Sequence, residues 1–167
     1  GSLRFYADER YYWPLNSFTA NANWIVPMRG FIQLAGFSQS FYGSLAFDIN
    51  ADALGFPSEL YKIVLQKIEG SQWTSSMTCS NDTFQPTCNY NGYIKDLPDI
   101  YFSTGQGPTG FSIKPEVYVK NAKSRDDYVN SITLNIQALD PSEGSYVTSG
   151  YEKTIILDAR VMSSYYI

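Results

Sequence analysis

Residues 40–60 read SFYGSLAFDINADALGFPSEL and join a strand pattern to the start of a helix. The aromatic and apolar residues predict a strand over 40–48 that ends at Asp48. Pro57 and Ser58 then favour a helix start, with Ser58 as the candidate N-cap, and Gly70 supplies a stop. Between these signals, side chains that suit one helix face recur at helical spacing: Leu60, Ile63, Val64, Lys67 and Ile68. The sequence therefore predicts a strand, an acidic loop and a helix in succession.

The rest of the chain carries mainly strand patterns. Residues 3–18 indicate two extended segments around an acidic turn, and residues 19–37 indicate an irregular stretch with one or two short strands. Residues 131–139, SITLNIQAL, alternate well. Further strand candidates, separated by Gly-rich and Pro-containing turns at 105–108 and 140–144, are 100–103, 111–113, 117–120 and 154–157. We therefore predict a mainly β protein with one clear helix.

Composition excludes several classes of function. The chain has 167 residues, which suits one domain, and its 16% aromatic content favours strands. It contains no His, which excludes Ser-His-Asp and Cys-His catalysis and histidine metal sites. The net charge of −4 and the lack of a basic patch argue against a nucleic-acid partner. No apolar run reaches the roughly 18 residues of a membrane helix, so we expect no membrane span.

The two cysteines bear on the compartment. Cys79 and Cys88 enclose a short loop with Pro86 inside, which could bring the two sulfurs together. A disulfide implies an oxidising compartment, which here means the extracellular space or a secretory or vacuolar lumen. Asn81 begins a glycosylation sequon, Asn-Asp-Thr, in the same loop. The alternative is a pair of free thiols in a cytosolic protein.

Several short motifs occur in order along nearly the whole chain. They are Gly1-Ser2-Leu3, Tyr12-Trp13 through Ser17-Phe18, Ala46-Phe47-Asp48 with Leu54 and Pro57, Leu97-Pro98-Asp99-Ile100-Tyr101-Phe102, Ile113-Lys114-Pro115-Glu116-Val117-Tyr118-Val119, and Ile156-Leu157 followed by Met162 and Tyr165-Tyr166. Together they resemble the C-terminal lobe of pepsin-like aspartic proteases. In that family the corresponding patterns include Asp-Thr-Gly, Leu-Pro-Asp-Ile-x-Phe and Ile-Leu-Gly-Asp.

The resemblance implies an architecture. We expect a single pepsin-like C-terminal lobe over residues 1–167, a mainly β sandwich or partial barrel with one or two short helices. The family continues past its Tyr-Tyr pair into one more strand, so the resemblance implies that the last strand is lacking here. The N-terminal lobe, which carries the second catalytic Asp and the substrate-covering flap in the family, would come from elsewhere.

The resemblance also assigns Asp48 to one half of the catalytic pair. In the family two aspartates share a proton and activate water, because two carboxylates about 3 Å apart cannot both ionise. The family's Asp-Thr-Gly is here Asp48-Ile49-Asn50. The Thr hydroxyl that locks the two lobes together is lost at Ile49. Ala51 lacks the hydroxyl that follows in the family, and Asp158 replaces a Gly near the catalytic loop and adds bulk and a possible like charge.

Three hypotheses follow, and none requires a cofactor. The first is a catalytically degenerate lobe that acts as a structural or interaction domain, partnered by an N-terminal lobe or another protein chain. The second is the C-terminal half of an active aspartic endopeptidase that uses Asp48 on peptide substrates; without a second lobe we expect no activity. The third is a calcium-binding module, since four residues fall at positions 1, 3, 5 and 12 of a calcium-loop pattern, although Ala53 replaces its turn Gly: Asp48, Asn50, Asp52 and Glu59.

Overall fold

The structure is a computed structural model that describes residues 2–3, 13–14, 24–71, 77–105, 110–139 and 154–164. The predicted turn at 140–144 and the motifs at 12–18 and 165–166 lie wholly or mostly outside this part of the chain. The short strands β1 (Ser2–Leu3) and β2 (Trp13–Pro14) pair antiparallel. Of the two extended segments predicted for residues 3–18, only Leu3 and Trp13–Pro14 lie within the described residues, and these are strand.

A long hairpin forms the centre of the main sheet. Strand β3 (Trp24–Leu34) pairs antiparallel with β4 (Phe37–Phe47) along its full length. Ala35 and Gly36 form the two-residue turn, with φ values of 49° and 77°, as the twist of a tight hairpin requires. The irregular stretch predicted over 19–37 is therefore wrong for residues 24–34. Pro27 and Gly30 hid this strand, because both residues usually interrupt strand patterns.

The hairpin belongs to a seven-stranded sheet with the order β11-β5-β12-β4-β3-β8-β9. The remaining strands of this sheet are β5 (Leu54–Pro57), β8 (Ile100–Ser103), β9 (Phe111–Ile113), β11 (Ile136–Leu139) and β12 (Thr154–Leu157). Strand β12 lies between β4 and β5, parallel to β4 and antiparallel to β5. The connection from β4 to β5 therefore passes the end of β12, and Asp48 begins that connection.

A smaller sheet lies beside the main one. Its order is β10-β7-β6, formed by β6 (Thr78–Cys79), β7 (Thr87–Tyr93) and β10 (Tyr128–Thr133). A 3-10 turn, Ile94–Asp96, follows β7. The prediction of one strand over 131–139 is corrected, because Leu134 and Asn135 separate β10 from β11. Val119 and Leu134 form an isolated bridge at that break.

Three helices complete the described fold: α1 (Ser58–Glu69), α2 (Pro115–Tyr118) and α3 (Ala159–Ser163). Helix α1 confirms the helix predicted after Asp48 and buries Leu60, Tyr61, Val64 and Ile68. Ser58 is not its N-cap, since Pro57 holds that position and the Ser58 hydroxyl donates to the Leu139 carbonyl at 3.0 Å. The strand predicted over 117–120 is also wrong, because Pro115 starts the short helix α2 there.

One core joins these elements. Aliphatic and aromatic side chains of the large sheet, the small sheet and all three helices form a single buried cluster, which includes Met28, Leu45, Phe56, Val64, Phe102 and Ile132. The architecture is mainly β with short helices, as predicted. Among the described residues, no helix has the length and apolar character needed to cross a membrane.

Candidate functional site at the Asp48 loop

The Asp48 loop comprises residues 48–53, and two neighbouring strands hold its ends. The Asp48 N–H donates to the carbonyl of Leu157, the last residue of β12, at 3.0 Å. The Leu54 N–H donates to the carbonyl of Asn135 at 3.0 Å. The loop is therefore attached to β12 on one side and to the start of β11 on the other. Its position follows from the strand order, because β4 and β5 are both neighbours of β12.

The carboxylate of Asp48 lies inside this loop. Asp48 is 7% exposed, and its Oδ1 atom accepts the Asn50 N–H at 2.9 Å. The Ala51 N–H donates to the Asp48 carbonyl at 3.2 Å. The loop thus folds tightly around Asp48, and the carboxylate serves as an acceptor for its own backbone. This arrangement places Asp48 where the sequence predicted it, at the end of a strand and at the start of the loop.

The residue after Asp48 faces the opposite way. Ile49 is 72% exposed, whereas Asp48 is 7% exposed. Ala46, Leu139 and Ile156 form a small buried apolar cluster, with Ile25 and Ala51 partly buried against it. The Asp48 loop therefore exposes one aliphatic side chain, Ile49, while Ala51 packs against this cluster.

Asp158 follows β12 and has a structural role that the sequence did not reveal. It is 3% exposed and is the N-cap of α3, where its Oδ1 atom accepts the Val161 N–H at 3.3 Å. Its Oδ2 atom accepts the Asn135 side-chain amide at 2.7 Å. Burial raises the pKa of Asp158, while the hydrogen bonds from Asn135 and Val161 and the charge of Arg160 lower it. The structure therefore gives this Asp hydrogen-bond donors from Asn135 and Val161 at the position where the resemblance predicted only added bulk and a possible like charge.

Two amide side chains continue from Asp158 toward the surface. The Asn135 Oδ1 atom accepts the Gln85 Nε2 amide at 3.1 Å, and the Gln85 Oε1 atom accepts the Lys120 ammonium at 2.8 Å. Gln85 also donates to the Asp52 carbonyl at 3.4 Å. We call the four side chains of Lys120, Gln85, Asn135 and Asp158 the amide relay. The sequence offered one weak signal for it, namely the polar Asn135 between two buried residues.

The disulfide loop supports the same region. Cys79 and Cys88 form a disulfide, which confirms the prediction. Inside their loop, Phe84 bridges antiparallel to Gln137, and the Thr83 carbonyl accepts the Ala138 N–H at 2.7 Å. The loop therefore covers the outer edge of β11 and places Gln85 next to the Asp48 loop. Gln137 assists by donating to the Ala53 carbonyl at 3.1 Å.

The predicted sequon lies on the surface of the disulfide loop. Asn81 is exposed and lines a cavity of about 540 Å³ between this loop and α1. Tyr61 lines the same cavity from α1, and its hydroxyl donates to the Asp82 carbonyl at 2.6 Å. Burial, followed by the negative charge of Asp82, raises the pKa of Tyr61 to about 12. Glycosylation of Asn81 remains a prediction.

The residues of the calcium alternative are not gathered into a metal site. Within the described ranges, no three His, Cys, Asp or Glu side chains are grouped so that they could hold a metal ion. Glu59 lies in the first turn of α1 and forms an exposed ion pair with Lys62 at 3.6 Å. The Asp48 carboxylate accepts a backbone amide instead. The pattern at Asp48, Asn50, Asp52 and Glu59 therefore has no geometric support.

Comparison with solved structures identifies the fold. The chain is similar to basic 7S globulin from soybean, as seen in its crystal structure, with a TM-score of 0.58 and 15% sequence identity. The match covers 91% of this chain and 37% of the globulin chain. No model of a known protein family matches the sequence, and a search of curated proteins gave no match. The likeness shows that the chain has a pepsin-like fold and that it spans a little over a third of the length of this structural relative.

Proposed function

We propose that the chain is a catalytically degenerate pepsin-like lobe that serves as a structural or interaction domain. It docks on a second lobe, either an N-terminal lobe of the same longer protein or another chain. The observation that carries this proposal is the exposure of Ile49, 72%, at the tip of the loop that holds Asp48. This exposed aliphatic side chain offers apolar area that a second lobe can remove from water.

The chemistry of the Asp48 loop supports docking over catalysis. A working dyad needs a second carboxylate and hydroxyl groups that orient the first one. Ile49 and Ala51 have no hydroxyl with which to orient the Asp48 carboxylate. Ile49 instead offers apolar area, which stabilises association when it is removed from water.

The alternative is the C-terminal half of an active aspartic endopeptidase. One observation favours it. Asp48 is buried after the end of β4, and hydrogen bonds with Asn50 and Leu157 hold it in place. In that case an Asp from a second lobe would complete the pair, and Asp48 would act as general acid or base on a peptide substrate.

Native mass spectrometry of the full-length protein from its source tests the proposal. We expect a second lobe in the same chain or in a bound chain. Where the lobe is a bound chain, we expect Ile49→Asp in recombinant protein to weaken that association at least about tenfold. Tyr128→Asp is the matched control, because Tyr128 is 60% exposed but lies on the small sheet. Equal affinity of the Ile49→Asp variant and the control would overturn the docking proposal.

An acid peptidase assay of the same full-length protein separates the two hypotheses. The docking proposal predicts no cleavage of a denatured protein substrate from pH 3 to pH 6 beyond that of the Asp48→Asn variant. Cleavage that Asp48→Asn abolishes would establish the endopeptidase alternative instead.

We further propose an extracellular or lumenal location. The Cys79–Cys88 disulfide supports it, because such bonds persist in oxidising compartments and are rare in the cytosol.

A further inference from the structure

The amide relay has a fixed direction. The Lys120 ammonium can only donate hydrogen bonds, and an ionised Asp158 carboxylate can only accept them. Both amides between them therefore turn their oxygen toward Lys120 and their nitrogen toward Asp158. The distances fit this order, at 2.8, 3.1 and 2.7 Å from the lysine to the carboxylate.

The direction of the relay decides what Gln85 can offer to the Asp48 loop. The Gln85 Nε2 atom carries two hydrogens, and it donates to the Asn135 Oδ1 atom and to the Asp52 carbonyl. A reversed Gln85 amide would place its oxygen against the Asp52 carbonyl, and two acceptors repel each other. The orientation of Gln85 therefore determines whether it can donate to the middle of the loop.

We propose that the amide relay is a positioning device: it holds the Asp48 loop in the shape presented to a partner lobe, and does so while Asp158 is ionised. This inference rests on the proposed function and adds regulation by pH to the same site. Gln85, Asn135 and Lys120 are positioning residues, since they act on the loop through one another.

A proton on Asp158 weakens the relay at its acidic end. The Oδ1 atom accepts the Val161 N–H, and the Oδ2 atom accepts the Asn135 amide. A neutral carboxyl oxygen is a weaker acceptor than a carboxylate oxygen, so both hydrogen bonds lose strength when Asp158 is protonated. Protonation thus loosens Asn135 and, through it, the Gln85 amide that donates to Asp52.

The charged groups near Asp158 come from four elements. Arg160 lies on its own helix and donates to the carbonyls of Lys120, Val119 and Glu116. Lys120 is linked to Asp158 through the side chains of Gln85 and Asn135. Glu116 lies on α2, and Asp48 begins the loop whose backbone is hydrogen-bonded to Leu157.

The relay favours the ionised form of Asp158, so the pKa of Asp158 should be lower with the Asp48 loop in place than with the loop open. Because burial raises that pKa, the loop should open at a higher pH than an exposed carboxyl would require.

Hydrogen exchange of the full-length protein, followed by mass spectrometry over pH 3.5 to 7.5, tests this proposal. The reporters are peptides that contain Ala51 and Leu54, with rates corrected for the intrinsic effect of pH on exchange. In the wild type we expect these peptides to lose about tenfold of their protection as the pH falls through the pKa of Asp158. A loss of this size corresponds to one structural hydrogen bond. In the Asp158→Asn variant we expect reduced protection with no such pH step.

Variants outside the buried carboxylate keep the test decisive if Asp158→Asn fails to fold. Gln85→Leu removes the link to Asp52, and Lys120→Met removes the hydrogen bond that holds the Gln85 oxygen, at half-buried and exposed positions respectively. Both should lower the protection of the loop at neutral pH. Lys62→Met is the matched control, because it removes an exposed lysine on α1 that lies outside the relay. Wild-type protection at neutral pH in the Gln85→Leu and Lys120→Met variants, or no pH step in the wild type, would overturn the proposal.

This test is independent of the docking proposal. Loop protection is measured without any change in the partner, whereas docking is measured by association. A loop that responds to pH in a protein with no second lobe would contradict the docking function alone. A second lobe that binds while the loop ignores pH and the variants would contradict the relay alone.

Discussion

The backbone N–H of Asp48 donates to the carbonyl oxygen of Leu157 at 3.0 Å. This hydrogen bond joins two residues far apart in the sequence and places the Asp48 loop beside the residue that follows Leu157, which is Asp158. The Asp48 carboxylate accepts a backbone N–H within its own loop. The Asp158 carboxylate caps α3 and lies at one end of the amide relay. The two acidic residues therefore have different structural roles in neighbouring segments.

Asp158 should make the free energy of unfolding depend on pH. Burial raises its pKa in the folded protein above the ordinary value of an Asp side chain, so the folded state binds a proton more readily than the unfolded state. The contribution of Asp158 to stability is then fully present below the unfolded pKa and is lost as the pH rises through the folded pKa. We expect the free energy of unfolding of the wild type, minus that of Asp158→Asn, to fall as the pH rises through this window.

Urea denaturation at a series of pH values measures this difference, and subtraction of the variant removes the effect of other carboxylates. A difference that stays constant from pH 3 to pH 7 would show that the pKa of Asp158 is the same in both states. The contribution of Asp158 to the free energy of unfolding should rise at low pH, whereas the protection of the Asp48 loop should fall. The two measurements therefore report separate consequences of one ionisation.

The disulfide should stabilise the fold and hold the disulfide loop against β11. Replacement of Cys79 and Cys88 by Ser should lower the free energy of unfolding by about 2–3 kcal/mol, because the bond closes a short loop. The Phe84–Gln137 bridge should also weaken. Denaturation of the oxidised wild type and the double variant measures the difference. Addition of a reductant should lower the free energy of unfolding of the wild type alone. Equal stability of the oxidised wild type and the double variant would contradict the prediction.

The helix after Asp48 could be predicted because its signals are local. Pro57, the helical spacing of its apolar residues and Gly70 lie within one short stretch. Strand β3 could not be predicted in full, since Pro27 and Gly30 interrupt its pattern and one of its two partners, β8, is remote in the sequence. Tertiary pairing decided its conformation, as is common for strands.

The candidate site shows the same division. The position of Asp48 at the end of a strand could be predicted from its neighbours alone. The amide relay could not, because Gln85, Asn135 and Asp158 come from three separate segments and each is an ordinary polar residue in the sequence. Only the arrangement of the sheet brings them together.

Tyr118 should contribute to stability through its hydroxyl as well as its ring. The side chain is 1% exposed, and its hydroxyl donates to the Pro98 carbonyl at 2.6 Å. Tyr118→Phe should lower the free energy of unfolding by about 1–2 kcal/mol, because it leaves a partly buried carbonyl without its donor. Tyr128→Phe, at a 60% exposed position, should change it by less than about 0.5 kcal/mol. Equal effects in thermal or urea denaturation would show that the Pro98 hydrogen bond does not stabilise the fold.

Asn81 should carry a glycan when the protein passes through a secretory pathway. The residue is exposed beside a cavity of about 540 Å³, and the Thr83 backbone, not its side chain, holds the loop to β11. Replacement of the Thr83 side chain should therefore leave the loop in place. Thr83→Ala removes the sequon, whereas Thr83→Ser keeps it and is the matched control. Intact mass measurement before and after enzymatic removal of N-glycans should show a loss at Asn81 in the wild type and in Thr83→Ser only. An unmodified Asn81 in protein recovered from a glycosylating host would contradict the prediction, and it would also remove one of the two arguments for an extracellular or lumenal location.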